Sequence, residues 1–129
     1  MTELVYCATP SRLSNLTETI VDYVAKEGYA PLHPFLAMPY KYFEGGIVGR
    51  NKTIEYCFRL VDICPHFWLF GISEGTLEEL SRAQSSDKIF RFPFLHFDPE
   101  WNEFYQNLAS KYGDPLANLF PIQRLTKQN

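Results

Sequence analysis

The chain is poor in the features that most often announce a function. It has three cysteines in 129 residues, Cys7, Cys57 and Cys64, with no CxxC pair and an odd total. A disulfide framework and a structural zinc are therefore not expected. The longest apolar runs, such as FWLFGI, are far too short to span a bilayer. Positive charge is not in excess. There are 12 Lys+Arg against 15 Asp+Glu, a formal net charge of -3, so electrostatics gives no case for a nucleic-acid polymer or a membrane surface as partner. The start, MTELVYCATP, has neither a charged n-region nor a long apolar h-region, and the expected location is cytoplasmic. The N-x-T sequons at Asn15 and Asn51 carry no meaning there. GxGxxG, GxxxxGK[ST] and HExxH are all missing. These absences remove the dinucleotide fingerprint, the P-loop and the zinc-protease helix.

What is present is an ordinary globular composition, 46% hydrophobic and 21% charged, in a length that suits one domain. LVYCAT (4–9) reads as a short buried strand. Residues 13–27 repeat apolar positions at helical spacing, and Gly28 stands where a helix ends. YAPLH (29–33) is a second strand, with Pro31 marking an edge or an end. Residues 34–48 read as a long loop, of the kind that often binds or covers a ligand. Arg50 to Ile63 is a helix that Pro65 stops. On it Cys57 and Cys64 are expected to share the buried face. HFWLFG (66–71) is a central strand, residues 76–85 a short helix, KIFRF (88–92) a fourth strand, and a last helix runs from Asp98 or Pro99 to Lys111, closed by Gly113. The tail from Asp114 onward has no clear reading.

Alternating strands and helices imply right-handed crossovers and a parallel sheet covered on both faces. The expected fold is a small α/β domain, doubly wound, Rossmann-like or flavodoxin-like, with four or five strands. Such sheets bind ligands outside the carboxyl ends of their strands. That rule selects Ala8-Thr9-Pro10-Ser11-Arg12, His33-Pro34 with the long loop, and Gly71-Ile72-Ser73-Glu74-Gly75-Thr76.

The last of these runs into GISEGTLEEL (71–80), where Glu79 has two readings. Free N–H groups at the helix start, with Ser73 and Gly75 beside them, suit a phosphate or a sugar hydroxyl. Thr76-x-x-Glu79 also fits a capping box, in which Glu79 bonds back to the first amide of the helix. Both stay open at this point. Glu78, one residue earlier, reads as a solvated carboxylate. In the first segment Arg12 either forks onto a phosphate or is solvent-exposed, with Ser11 or Ser14 capping the helix. Tyr40, Tyr42 and Phe43 lie in the long loop and could stack on a planar base. His33 is the one histidine at a strand end, where a structural role competes with binding. His66 and His96 show no metal spacing.

Those segments together resemble the nucleoside 2-deoxyribosyltransferase superfamily, which includes deoxynucleoside monophosphate N-glycosidases and CMP hydrolases. The likeness runs from about Leu4 to Phe92, over VYCATP, EGYAPLHP, CPHFWLFGISEGTLEELSRAQ and DKIFRF. Its most specific part is Ser-x-Gly-Thr-x-x-Glu, here Ser73, Gly75, Thr76 and Glu79. The resemblance implies that Glu79 is the nucleophile in cleaving an N-glycosidic bond, by hydrolysis or by transfer. It implies that Ser73 and the turn Thr9 to Arg12 hold the sugar or its phosphate. It implies a small-molecule nucleoside or nucleotide as ligand, no metal or cofactor, and a homodimer or larger homo-oligomer. The family's aspartate before the third strand falls at Cys64-Pro65, and its acidic or amide residue two turns earlier falls at Cys57, with Glu55 and Asp62 nearby. A non-catalytic nucleotide-binding module on the same fold is the alternative.

Overall fold

The structure, a computed structural model, describes residues 2–39, 41–43 and 45–112. Four strands are described, β1 (Leu4–Ala8), β2 (Ala30–Leu32), β3 (His66–Leu69) and β4 (Ile89–Arg91). They form one sheet in the order β2-β1-β3-β4, parallel at every pairing. The helices are α1 (Thr17–Lys26), the single turn α2 (Pro34–Ala37), α3 (Arg50–Ile63), α4 (Glu74–Gln84), the single turn α5 (Phe94–Phe97) and α6 (Trp101–Tyr112). A 3-10 segment, Ser11–Leu16, leads into α1. This is the doubly wound, Rossmann-like arrangement expected from the alternation of strands and helices.

Strand parity builds two cores. Tyr6, Ala8, Phe67 and Leu69 point to one face, where they pack with Val61 of α3 and Leu77, Leu80 and Ala83 of α4. Phe94, Trp101, Phe104 and Tyr105 extend that cluster. Val5, Cys7, Trp68 and Phe70 point to the other face and meet Ile20 and Val24 of α1. All four residues of β3 are buried, which is why its sequence is an unbroken apolar-aromatic run. The chain leaves β1 by α1 toward β2 and returns by α3 toward β3. The two crossovers run in opposite directions, so right-handedness puts their helices on opposite faces. Between β1 and β3 the strand order reverses, and the carboxyl ends of these neighbours part into a crevice.

Several local expectations shift. The first helix begins as 3-10, and its first α residue, Thr17, is preceded by Leu16, which offers no side-chain cap. Neither Ser11 nor Ser14 caps it. The long loop holds the one-turn α2, started by Pro34 and capped by His33 Nδ1. Residues 94–97 form a turn of helix before α6. Cys64 is buried in the core, whereas Cys57 is only half-buried and lies on the crevice side. Phe97 joins the α1 face, while Phe90, Phe92, Phe94 and Trp101 join the other. Gly113 and the tail lie outside the described residues.

One close approach sets the mouth of the crevice. A Cβ on Gly71 would lie 2.6 Å from Pro10 Cδ and 2.8 Å from Leu13 Cδ1. Only glycine lets the turn after β3 pack against the turn after β1.

Candidate functional site

The crevice is a cleft of about 1020 Å³ at the carboxyl ends of β1 and β3. Its lining brings together segments far apart in sequence: Thr9 to Ser11, the α2 region, the inner face of α3, and Ser73 to Glu79. Thr9, Ser11, Phe43, Ser73, Gly75, Thr76 and Glu79 all line it. Arg12 and His33 do not. Tyr42 is 54% exposed, outside the lining. Tyr40 lies outside the described residues.

The start of α4 decides between the two readings of Glu79. The helix begins two residues earlier than the spacing of its apolar positions suggests, with Ser73 as N-cap. Ser73 Oγ accepts the Thr76 N–H at 3.1 Å, and Thr76 Oγ1 accepts the Ser73 N–H at 2.8 Å. The capping box is therefore Ser73 with Thr76. Thr76 Oγ1 also donates to the Gly71 carbonyl at 2.9 Å, so this hydroxyl is committed to the loop. Glu79 is the sixth residue of α4, beyond reach of the cap, and its side chain reaches the cleft.

What holds Glu79 is Tyr6. The phenol donates to Glu79 Oε2 at 2.5 Å, across the core face of the sheet. Tyr6 is fully buried and stacked on Phe67. Burial raises its pKa well above the usual value, and Glu79 and Cys57 beside it push the same way. Tyr6 thus stays protonated and acts as a fixed donor. Tyr6 has no role in any of the sequence motifs. The signal was there, since a tyrosine inside an apolar strand must find a partner for its hydroxyl. Lys41 and Arg50 also line the cleft and also lie outside those motifs.

Arg12 is turned to another task. Its two terminal nitrogens each donate to one carboxylate oxygen of Asp98 at 2.7 Å, and Nη2 also donates to the Ile72 carbonyl at 2.7 Å. The guanidinium lies 3.9 Å from the centre of the Phe104 ring. Asp98, fully buried, accepts the Ile72 N–H at 2.9 Å. One ion pair therefore grips both polar groups of Ile72 and fixes the turn that carries Ser73. Of the residues near Cys57 in sequence, Glu55 is exposed and Asp62 pairs with Arg82 at 2.6 Å, and neither lines the cleft.

His33 stands behind the lining. Its Nδ1 accepts the Phe35 N–H at 3.2 Å, so the proton sits on Nε2, which meets Thr9 Oγ1 at 3.1 Å. Thr9 in turn donates to the Cys7 carbonyl at 3.1 Å. Burial lowers the His33 pKa to about 4, so the ring is neutral at pH 7. It orients Thr9 rather than reaching a ligand itself. Among the described residues no group of three or more His, Cys, Asp or Glu could hold a metal, and no helix is long and apolar enough to cross a membrane. Comparisons with protein-family models, with curated proteins and with solved structures found no match to the chain, so the fold and the geometry of this cleft are the observations that bear on its function.

Proposed function

We propose that the cleft binds a nucleoside or nucleoside monophosphate and that Glu79 cleaves its N-glycosidic bond. The observation that carries this reading is Glu79 itself. It is released from helix capping, faces a ligand-sized cleft at the switch point, and is held by a buried neutral phenol. Cleaving the bond from C1′ to the base passes through an oxocarbenium-like state. A carboxylate below C1′ stabilises that charge or closes on it as an ester, while the bond pair leaves with the base nitrogen, which takes up a proton. Water then attacks C1′, and sugar and free base result. A second base in place of water gives transfer. Ser11 and Ser73 supply hydroxyls for the sugar, and the apolar Phe43, Ile54 and Phe58 supply surface for a base.

One observation favours a second reading, a binding or sensing module. The α3 residue beside the Tyr6 phenol is Cys57, not a second carboxylate to handle protons. The test is a panel of ribo- and deoxyribonucleosides and their monophosphates, with free base followed by chromatography. Release from at least one member, reduced about a thousandfold or more by Glu79→Ala, is the expected result. Binding without release in either protein supports the module, and no binding to any member overturns both. The homo-oligomer that the resemblance implies belongs to the same proposal. Leu36, Tyr42 and Ile47 are exposed apolar surface for it, and sedimentation at two concentrations tests it.

A further inference from the structure

We infer that Cys57 is the general acid that gives the departing base its proton. The inference rests on the N-glycosidase reading of the cleft and names a group which that reading leaves unassigned. α3 lines the cleft with Thr53, Ile54, Cys57 and Phe58, a spacing that makes one face of a helix. Ile54 and Phe58 belong to the apolar surface proposed for the base, so Cys57 stands within that surface. The side chain is half-buried, shielded from bulk water yet open to a ligand. α3 packs against α4, which carries Glu79. On the sheet face beneath both helices, the Tyr6 phenol donates to Glu79 Oε2 and has Cys57 beside it. The thiol therefore adjoins both the base surface and the carboxylate that acts at C1′.

The other described groups of the lining suit the task less well. Carboxylates bring no proton at neutral pH, a guanidinium does not release one, and alcohols are far weaker acids than a thiol. Lys41 holds its ammonium 5.4 Å from the centre of the Tyr42 ring, which stands outside the lining. The Thr76 hydroxyl is committed to the Gly71 carbonyl. The proton steps then balance. As the bond from C1′ to the base breaks, its electron pair goes to the base nitrogen, and the Cys57 S–H supplies the proton there. The thiolate left behind adjoins the Tyr6 O–H, which is freed to turn toward it as Glu79 gives up its charge to C1′. Water next passes a proton to the thiolate while its oxygen bonds to C1′. The pair of the bond to Glu79 returns to the carboxylate, and both groups are restored.

The test follows base release by the full chain from two forms of one nucleoside. In one form the base is unmodified. In the other it is methylated at a second ring nitrogen, N7 of a purine or N3 of cytosine. That base is positively charged and leaves neutral, so it needs no proton. Cys57→Ala should slow release of the unmodified base by about a hundredfold and that of the methylated base by less than about twofold. Cys57→Ser keeps the bulk but is a much weaker acid, and should behave as Cys57→Ala does. Undiminished release of the methylated base in both variants shows that the fold and Glu79 are intact. Equal slowing of the two forms, or full release of the unmodified base by Cys57→Ser, overturns the inference and leaves the N-glycosidase reading standing. No release of either form by the parent overturns both.

Discussion

Glu79 lies one turn beyond the residues that cap α4, and its carboxylate takes a hydrogen bond from Tyr6 at 2.5 Å. Removing the phenolic oxygen leaves the packing of the ring intact. Tyr6→Phe should therefore fold, keep its thermal midpoint within a few degrees, and lose about tenfold to a hundredfold in the proposed base release. Unchanged turnover would show that Tyr6 is only structural. His33 makes a separate prediction about acid. The unfolded chain takes up a proton on this ring near its ordinary pKa of 6.5, whereas the folded protein does not until about 4. Stability is therefore full above pH 6.5 and falls as the pH drops toward 4, by on the order of 3 kcal/mol. Below that the group adds no further loss. Urea titrations at pH 7 and pH 5 should show this slope in the parent and a shallower one in His33→Gln. At this scale the sequence was half legible. Ser73 and Gly75 could be placed at a strand end from spacing alone, whereas spacing left Glu79 between a helix cap and the cleft. The partner of Glu79 could not, because Tyr6 lies 73 positions away and only the sheet brings it there.

Among the elements, α4 and the turn before it bear most on the site. Ser73→Ala removes the N-cap and should cost about 1 kcal/mol in urea titration. The Arg12–Asp98 pair ties the turns after β1 and β3 to the start of α6. Because Asp98 is fully buried, Asp98→Ala leaves the guanidinium and the Ile72 N–H without their partner and should cost about 3–5 kcal/mol. A loss under 1 kcal/mol would show that water replaces the carboxylate without penalty. The bounds of α3 could be read in full, since Gly49 and Pro65 bracket a fourteen-residue run. The start of α4 could not. Ser73 and Thr76 are both sound caps, and the choice falls to Ser73 because Thr76 Oγ1 is drawn to the Gly71 carbonyl. The single turns at 34–37 and 94–97 are too short to show any period. Arg12 looked available because its partner is 86 positions away.

For the molecule as a whole, strand–helix alternation was enough to predict a parallel, doubly wound sheet, and the rule of the switch point was enough to find the cleft. The two apolar faces follow from parity along β1 and β3. What alternation could not show is the charge inside the cleft, since that depends on which side chains of α1, α3 and α4 turn inward. The account rests on one claim, that the carboxylate of Glu79 acts on a glycosidic carbon in this cleft. The most direct measurement is the rate of free-base release from nucleosides and nucleoside monophosphates by the parent protein and by Glu79→Gln, compared at equal concentration and with thermal midpoints recorded for both. The account predicts steady release by the parent and, from a variant that stays folded, a rate lower by about a thousandfold or more. Equal release by the two folded proteins, or none by the parent, would contradict it.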